Sequence, residues 1–286
     1  MRYGITMFAT DVSIDVVELA REAESRGLES LWLPEHTHIP VSRRTPPPTG
    51  DAVLAEEYRR CLDPLVALAA AASVTSTLRL GTGILLAAQR EPIVTAKAVA
   101  TLDHLSGGRA ALGVGFGWNE DELANHGVAM RDRREVVGEN VRAMQALWAE
   151  DEASFHGEHV RLDPSWSWPK PLQRAADGRP RVPVLHGGAA GPKLFAHIAA
   201  YGDGWIPIGG SGLTDAIPRL REVVAEAGRD PATLEIVPFG SLPDAGKLDH
   251  FERIGVTECV FRLPSAPRDV VLPLLDEQAG LVASRR

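Results

Sequence analysis

The sequence predicts an α/β fold in which parallel strands close into a (β/α)8 barrel, or TIM barrel. Short β-type runs alternate with longer stretches of helical periodicity, and this alternation repeats about eight times along the chain. Strands separated by helices are expected to be parallel and covered on both faces. The chain has 286 residues, whereas one such barrel typically needs about 250. We therefore predict a single domain over residues 1–286, with the surplus length in insertions.

Eight segments have the length and composition of buried strands. They are Tyr3–Phe8, Ser30–Leu33, Leu78–Leu85, Arg109–Gly115, Val182–His186, Gly204–Ile208, Leu234–Phe239 and Glu258–Leu263. The competing architecture is a doubly wound open sheet, which usually carries GxGxxG directly after its first strand. Here the first strand is followed by ATD, without glycine, and this favours the barrel.

The helices between these strands have recognisable start signals. Ser13 is predicted to cap the first helix, and Asp63 followed by Pro64 is predicted to begin a later one. Pro92 and Pro192 are predicted to open two more, because proline is favoured in the first turn.

Two segments match neither element, and we predict them as insertions after strand 2 and after helix 4. The first, Glu35–Arg60, contains the proline-rich run SRRTPPPTGD. The second, Ala149–Arg181, contains a hairpin-like run, ASFHGEHVRL, followed by WSWPKP. Both insertions are expected to lie over the mouth of the barrel.

The composition excludes several classes of function. A net charge of −8 is a poor match for a protein that binds nucleic acid phosphates. The sequence contains no apolar run of about 18 residues and begins with no signal peptide, so no membrane contact is expected. Two cysteines, Cys61 and Cys259, are too few for a disulfide framework and are typical of the reducing cytoplasm.

Glycine dominates the carboxyl ends of the predicted strands, where barrel enzymes place their active sites. Glycine allows a flat or phosphorylated ligand to approach the backbone closely, although the same residues could merely form tight turns. The glycines after strand 5 precede a helix, whose N-terminus attracts anions. The three glycine-rich ends are Gly81–Ile84, Gly115–Gly117 and Gly187–Ala189, and the aromatic residues near strand ends, expected to form an apolar mouth, are Phe8, Phe116, Trp118 and Trp205.

Two histidines, His36 and His38, follow strand 2. With His186 they could bind a metal ion in a hydrolase, because alternate residues of an extended segment point the same way. Such a site also needs an inward carboxylate, but the last strand offers Arg262 and Leu263 instead. A metal-dependent hydrolase is therefore the less favoured alternative, and no metal site is predicted.

Several motifs together resemble one family. The stretch AKAVATLDHLSGGRAALGVGFGWNEDELANHG resembles the signature of the bacterial luciferase-like monooxygenase superfamily, as do LWLPEH, LRLGTGIL and YGDGWIPI at three other strands. The resemblance extends from Tyr3 to Leu263 and is greater to the branch that uses the deazaflavin coenzyme F420 than to members that use reduced FMN. It implies a homodimer that acts on a small molecule.

The resemblance also implies roles for individual residues. Glu35 and His36 match an acidic–histidine pair in which the histidine stands near the reactive ring edge and the acid orients it. The bond between Gly83 and Ile84 matches a non-proline cis peptide, within a bulge of strand 3, that supports one face of the ring. Gly115, Phe116 and Gly117 match the segment beside the ring and its ribityl chain, and Gly187, Gly188 and Ala189 match the phosphate-contacting loop.

Two departures from the pattern bear on the substrate. The sugar-phosphate dehydrogenases of this branch carry a tryptophan where this chain has Pro40, and a glutamate where it has Trp118. Both differences argue against a sugar phosphate and leave the general acid unassigned, with Glu120 as a possible replacement.

The resemblance predicts an F420-dependent oxidoreductase that transfers a hydride between the deazaflavin and a small organic substrate. The alternatives are an FMN-dependent luciferase-like monooxygenase and a barrel that binds a cofactor without turnover. Because both the coenzyme and the protein are anionic, its capture is expected to depend on backbone N–H groups and on nearby cations such as Arg43, Arg44 and Lys193.

Overall fold

The computed structural model describes residues 1–42, 44–47 and 53–286, so Arg43 and part of the first predicted insertion lie outside the described residues. The strands are β1 (Arg2–Thr6), β2 (Ser30–Leu33), β3 (Arg79–Leu86), β4 (Ala110–Gly115), β5 (Ala153–His156), β6 (Arg161–Ser165), β7 (Val184–Gly187), β8 (Gly204–Ile206), β9 (Glu235–Ile236), β10 (Phe239–Ser241) and β11 (Glu258–Arg262). The α-helices are α1 (Val16–Ser25), α2 (Glu57–Arg60), α3 (Pro64–Ala72), α4 (Pro92–Ser106), α5 (Glu120–Asn125), α6 (Arg133–Ala149), α7 (Pro192–Tyr201), α8 (Leu213–Glu226), α9 (Ala245–Ile254) and α10 (Arg268–Ala283).

Within these residues, nine strands form one curled parallel sheet in the order β10-β11-β1-β2-β3-β4-β7-β8-β9. The predicted α/β fold with a parallel sheet is confirmed. The two strands at the ends of this order are consecutive in the chain, separated by Val237 and Pro238. The N–H of Val237 donates to Trp205 on one side (2.9 Å), and the N–H of Val260 donates to Pro238 on the other (3.1 Å). The strand predicted at Leu234–Phe239 is thus divided into β9 and β10, because Pro238 has no N–H for the ladder.

Most of the predicted helix starts are confirmed, with one exception. Asp63 caps α3 and precedes Pro64, while Pro92 and Pro192 open α4 and α7. The predicted cap at Ser13 is wrong. Asp15 accepts hydrogen bonds from the first N–H groups of α1, whereas the Ser13 hydroxyl is bonded within the preceding turn. Helix α5 was not predicted, because six residues are too few to show a period.

The predicted hairpin in the second insertion is confirmed as the antiparallel pair β5–β6. Its turn is fixed to α6 by Glu139, whose carboxylate accepts the N–H groups of Glu158, His159 and Val160. These backbone hydrogen bonds hold the pKa of Glu139 below its ordinary value, despite the opposing effect of burial. The hairpin is therefore attached to the side of α6.

An ion network lies at the amino ends of the strands, around the buried carboxylate of Glu258. Arg2, Arg79, Glu235 and Glu258 are the first residues of β1, β3, β9 and β11, and the Glu258 side chain is fully buried. Its carboxylate accepts hydrogen bonds from the Trp32 indole (2.7 Å), from Arg2 (3.1 Å) and from Arg79 (3.2 Å). This end of a parallel barrel-like sheet usually contributes to stability, while the opposite end carries function.

Two expectations from the composition can be compared with the structure. Both Cys61 and Cys259 are free thiols. Among the described residues, no helix is long and apolar enough to span a bilayer.

Candidate active site

A cavity of about 370 Å³ opens at the carboxyl ends of the strands. Its walls are formed by residues that follow β1, β2, β4 and β8, by the last residues of β3, by β10 and β11, and by the short helix α2. Its apolar lining includes Phe8, Tyr58, Ile84, Trp118, Phe239 and Leu263. A cavity of this position and lining is suited to a planar organic molecule.

The polar centre of this cavity is His36, directly after β2. The imidazole is almost fully buried, and its Nδ1 lies 3.0 Å from each carboxylate oxygen of Glu122 on α5. Because an ionised carboxylate only accepts hydrogen bonds, Nδ1 carries a proton, and Nε2 is the nitrogen left for exchange with a ligand. Within the described residues, Nε2 has no hydrogen-bond partner. The sequence therefore placed His36 correctly in the cavity, but its partner comes from another part of the chain.

The predicted orientation of His36 by Glu35 is wrong. The carboxylate of Glu35 accepts hydrogen bonds from the Arg90 guanidinium, with Nε at 2.6 Å, and from the Leu86 N–H at 2.7 Å. Burial raises the pKa of Glu35 above its ordinary value, and Arg90 opposes that effect. Adjacent residues of an extended segment point in opposite directions, so Glu35 and His36 project to different sides. Glu35 ties β2 to the end of β3 instead.

The backbone of His36 is held by Cys61. The His36 N–H donates to Sγ, and the thiol donates to the His36 carbonyl, both at 3.2 Å. Burial raises the pKa of Cys61 to about 11, so the group is a thiol rather than a reactive thiolate.

The end of β3 has the conformation that the family resemblance implied. The peptide bond between Gly83 and Ile84 is cis, and the register between β3 and β4 shifts between Thr82 and Leu85. Both the predicted cis bond and the predicted bulge are confirmed. The Ile84 side chain therefore projects into the cavity instead of continuing the alternation of the strand.

Two of the predicted cofactor-binding glycines make room for Ile84. A Cβ at Gly115 would lie 2.3 Å from Ile84 Cδ1, and one at Gly187 would lie 2.8 Å from Ile84 Cγ2. The absence of a side chain at these two positions is thus explained by internal packing. Gly117, in contrast, has a φ of 77°, which favours glycine in a turn.

We expect Gly115→Ala to destabilise the fold by about 1–3 kcal/mol, because the new methyl group overlaps Ile84. The double variant Gly115→Ala/Ile84→Ala should recover most of that loss in urea unfolding. Gly191→Ala is the control, because a Cβ there meets nothing within 4 Å. An unchanged stability for Gly115→Ala would show that the packing against Ile84 does not require glycine.

The predicted aromatic mouth is only half correct. Phe8 and Trp118 line the cavity, but Phe116 and Trp205 do not. Phe116 is turned towards the surrounding helices, where the guanidinium of Arg134 lies 4.3 Å from its ring centroid. Trp205 is 1% exposed and belongs to the core. The difference arises because the direction of a side chain near a strand end depends on the local turn, which composition does not reveal.

The metal ligands suggested for a hydrolase do not form a site. His186 is fully buried against the rings of Phe116 and Tyr201, with both nitrogens unpaired, whereas His38 is bonded to Thr37 and Asn125. Among the described residues, the group close enough to share a metal ion is an exposed one, made of Glu135, Glu158 and His159.

Burial of His186 makes the stability of the fold sensitive to acid. Desolvation lowers the pKa of His186 from 6.5 to about 3, so the native state stays neutral there while the unfolded chain takes up a proton below 6.5. The free energy of unfolding should therefore fall, by about 1.4 kcal/mol per pH unit from this residue, between about pH 6 and pH 4. In urea titrations across this range, His186→Phe should show a shallower pH dependence than the wild type. Equal slopes for the two proteins would contradict this assignment.

The loop after β7 leads into a helix start that is open to an anion. Helix α7 begins after Gly191 without a side-chain cap, and Lys193 lies in its first turn. Of the other cations predicted to attract an anionic coenzyme, Arg44 is paired with Asp121 and Glu120. Its charge is therefore compensated.

Sequence reasoning missed the partner of His36 and several side chains of the cavity wall. Glu122 belongs to the acidic run NEDE, in which Glu120 had been favoured, but Glu120 points to Arg44 instead. Tyr58 and Arg262 face the cavity from α2 and from the end of β11. The acidic run was visible in the sequence, but the member that reaches His36 is determined by the phase of α5 after its Asn119 cap.

The comparisons with known proteins are consistent with this geometry. A family model described as luciferase-like monooxygenase matches residues 9–242. The chain belongs to the luciferase-like monooxygenase family. An uncharacterized protein of Mycobacterium tuberculosis is 43% identical over 99% of both chains. A protein of Kineococcus radiotolerans named F420-dependent glucose-6-phosphate dehydrogenase is 32% identical over 77% of this chain and 61% of its own length.

Solved structures of the luciferase-like kind have the same fold. A monooxygenase of Streptomyces bottropensis superposes with a TM-score of 0.81 at 20% identity, covering 100% of this chain and 99% of the other. The coenzyme F420-dependent tetrahydromethanopterin reductase of Methanopyrus kandleri gives a TM-score of 0.72 at 18% identity, covering 99% of both chains. Named relatives in this family are thus oxidoreductases or monooxygenases, and the resemblance seen in the sequence is confirmed at the level of the family.

Proposed function

We propose that this luciferase-like protein is an F420-dependent oxidoreductase, in which a hydride passes between the deazaflavin and a small organic substrate. The observation that carries the proposal is the pairing of His36 with Glu122 at the wall of an apolar cavity, beside the cis Gly83–Ile84 bond. The sequence relatives named F420-dependent glucose-6-phosphate dehydrogenase support the deazaflavin over FMN. In this proposal the curled sheet is a (β/α)8 barrel, with β9 and β10 as one interrupted strand.

The residues present fit such a coenzyme at both of its chemically distinct ends. Ile84 and the aromatic walls of the cavity provide flat apolar surfaces for a ring. The uncapped N-terminus of α7, with Lys193 and the preceding glycines, provides N–H donors and positive charge for a phosphate. We propose that the coenzyme passes between these ends along the positions assigned to it in the sequence, Gly83 to Ile84, Gly115 to Gly117 and Gly187 to Ala189.

When bound, the deazaflavin would supply the hydride chemistry. The chain supplies the surroundings for it. Glu122 holds the proton on Nδ1 of His36, so that Nε2 can accept or return a proton as charge develops on a substrate oxygen. Trp118 and Tyr58 pack around the imidazole, with ring centroids 6.0 and 5.2 Å away, and limit the access of water to it.

The second candidate is an FMN-dependent monooxygenase. It is favoured by the description of the family model and by the high structural similarity to a monooxygenase. The two candidates differ in their reaction with oxygen, since reduced FMN reacts readily and a reduced deazaflavin reacts poorly.

Titration of the purified apo protein with F420 and with FMN tests the proposal. We expect a change in coenzyme fluorescence with saturable binding for F420, and weaker binding for FMN. Tight binding of FMN together with no binding of F420 would overturn the choice of coenzyme. Oxygen consumption with reduced FMN would then identify the monooxygenase. Light scattering of the same sample tests the homodimer that the family resemblance implies.

A further inference from the structure

We propose that the substrate of this site is an uncharged, mainly apolar ring compound with one polar oxygen, and that the ion pair between Glu57 and Arg262 excludes phosphorylated and carboxylated compounds. The inference rests on the proposed function in one respect only, that the cavity beside His36 is where the substrate binds. It adds the chemical class of that substrate and the residues that select it.

The wall of the cavity is mainly apolar. Phe8, Tyr58, Trp118, Phe239 and Leu263 surround the opening of the cavity with aromatic and aliphatic surface. A ring placed there buries apolar area against these side chains and gains stacking contacts. An ionised group placed on the same surface loses its hydration without a charged partner, which is strongly unfavourable.

The wall of the cavity offers little positive charge to a ligand. In the described part of the chain, one basic side chain lines the cavity. It is Arg262, at the end of β11. Its Nη2 lies 2.9 Å from the Glu57 carboxylate on α2. The Glu57 side chain is 15% exposed, whereas that of Arg262 is 58% exposed. Glu57 thereby offsets the charge of Arg262 and weakens its attraction for an incoming anion.

The imidazole of His36 is available for a polar contact with a ligand. Glu35 also lines the cavity, but its carboxylate is bound by Arg90. Among the described residues, His36 Nε2 has no hydrogen-bond partner. It accepts a hydrogen bond from a hydroxyl group while the imidazole is neutral, and it donates one to a carbonyl oxygen when Nε2 is protonated. One hydrogen bond beside an apolar wall matches a neutral ketone, enone, quinone or phenol better than a sugar phosphate.

Two ring compounds that differ in charge test this inference: 2-acetonaphthone, a neutral ketone, and 2-naphthoate, its carboxylate counterpart. Their binding is measured by calorimetry on the apo protein, and again in the presence of saturating F420. We expect the ketone to bind at least about tenfold more tightly than the carboxylate, and glucose 6-phosphate not to bind detectably. Equal or tighter binding of the carboxylate to the wild type would overturn the inference, as would loss of ketone binding when F420 is bound.

The variant Glu57→Gln keeps the size of the side chain and frees the charge of Arg262. It should tighten the binding of 2-naphthoate by about three- to tenfold and change that of 2-acetonaphthone by less than about twofold. The double variant Glu57→Gln/Arg262→Gln should lose this gain, and thermal unfolding checks that both variants are folded. An equal effect of Glu57→Gln on the two compounds would contradict the role of the ion pair.

The outcomes separate this inference from the choice of coenzyme. If the apo protein selects the ketone but does not bind F420, the proposed function fails while the substrate class stands. If F420 binds and the carboxylate is preferred, the substrate class fails while the proposed function stands.

Discussion

Replacing His36 with alanine is expected to lower kcat by about 10²- to 10⁴-fold while changing the dissociation constant of the coenzyme by less than about threefold. His36 lines the cavity with a ring that can exchange a proton, so its removal takes away proton exchange but little of the apolar binding surface. The measurements are steady-state turnover with reduced F420 and a quinone acceptor, and fluorescence titration of the coenzyme. Equal losses in turnover and in coenzyme affinity would identify His36 as a binding residue.

Two variants sharpen this test. His38→Ala is the matched control, because His38 lies two residues away and is bonded to Thr37 and Asn125 instead of lining the cavity. It should retain nearly full turnover. Glu122→Gln should lower kcat by about 10- to 100-fold, because the amide no longer fixes the proton on Nδ1 of His36 as a carboxylate does. A fully active Glu122→Gln protein would show that the proton on Nδ1 needs no carboxylate.

Replacing Glu258 with alanine is expected to destabilise the fold by about 3–5 kcal/mol. The change removes one of the two carboxylates that pair with the largely buried Arg79. It also deprives the Trp32 indole N–H of an acceptor. Arg79 retains Glu235, whose pKa stays below its ordinary value because Arg79 and Arg2 outweigh the effect of burial. Equilibrium unfolding in urea measures the loss.

Arg2→Ala is the control for Glu258. Arg2 binds the same carboxylate, but its side chain is 42% exposed, so its removal should cost no more than about 1 kcal/mol. The milder variant Glu258→Gln keeps the volume and one acceptor, and it gives a measurable value if Glu258→Ala does not fold. A loss below about 1 kcal/mol for both Glu258 variants would show that the network contributes little to stability.

The positions of most strands along the chain and the starts of most helices could be predicted because their signals are local. Pro64 after Asp63 begins a helix wherever it occurs, since proline lacks only an N–H that the first turn does not use. Ser13 misled because Asp15, two residues later, is an equally good cap, and only the turn before α1 determines which hydroxyl or carboxylate reaches the helix. The division between β9 and β10 at Pro238 could have been read from the sequence, because proline interrupts a ladder in any central strand.

In the candidate site, too, some features could be predicted from the sequence and others could not. The position of His36 after β2, the bulge at Gly83 and the glycines of strands 4 and 5 were visible as motifs, because the carboxyl ends of parallel strands gather at one edge of a sheet. The partners of those residues were not visible. Glu122 lies 86 residues from His36 and Glu57 lies 205 residues from Arg262, and such pairs depend on the phase of short helices.

The sequence by itself therefore determined the fold class, the family and the edge of the sheet that carries the site. These depend on periodicity and on motifs that act within a few residues. The tertiary structure decided which carboxylate orients His36, which aromatic rings face the cavity, and that Arg262 is paired with Glu57. These depend on the direction of individual side chains, because a rotation of a single residue about a helix or strand axis changes what that residue contacts.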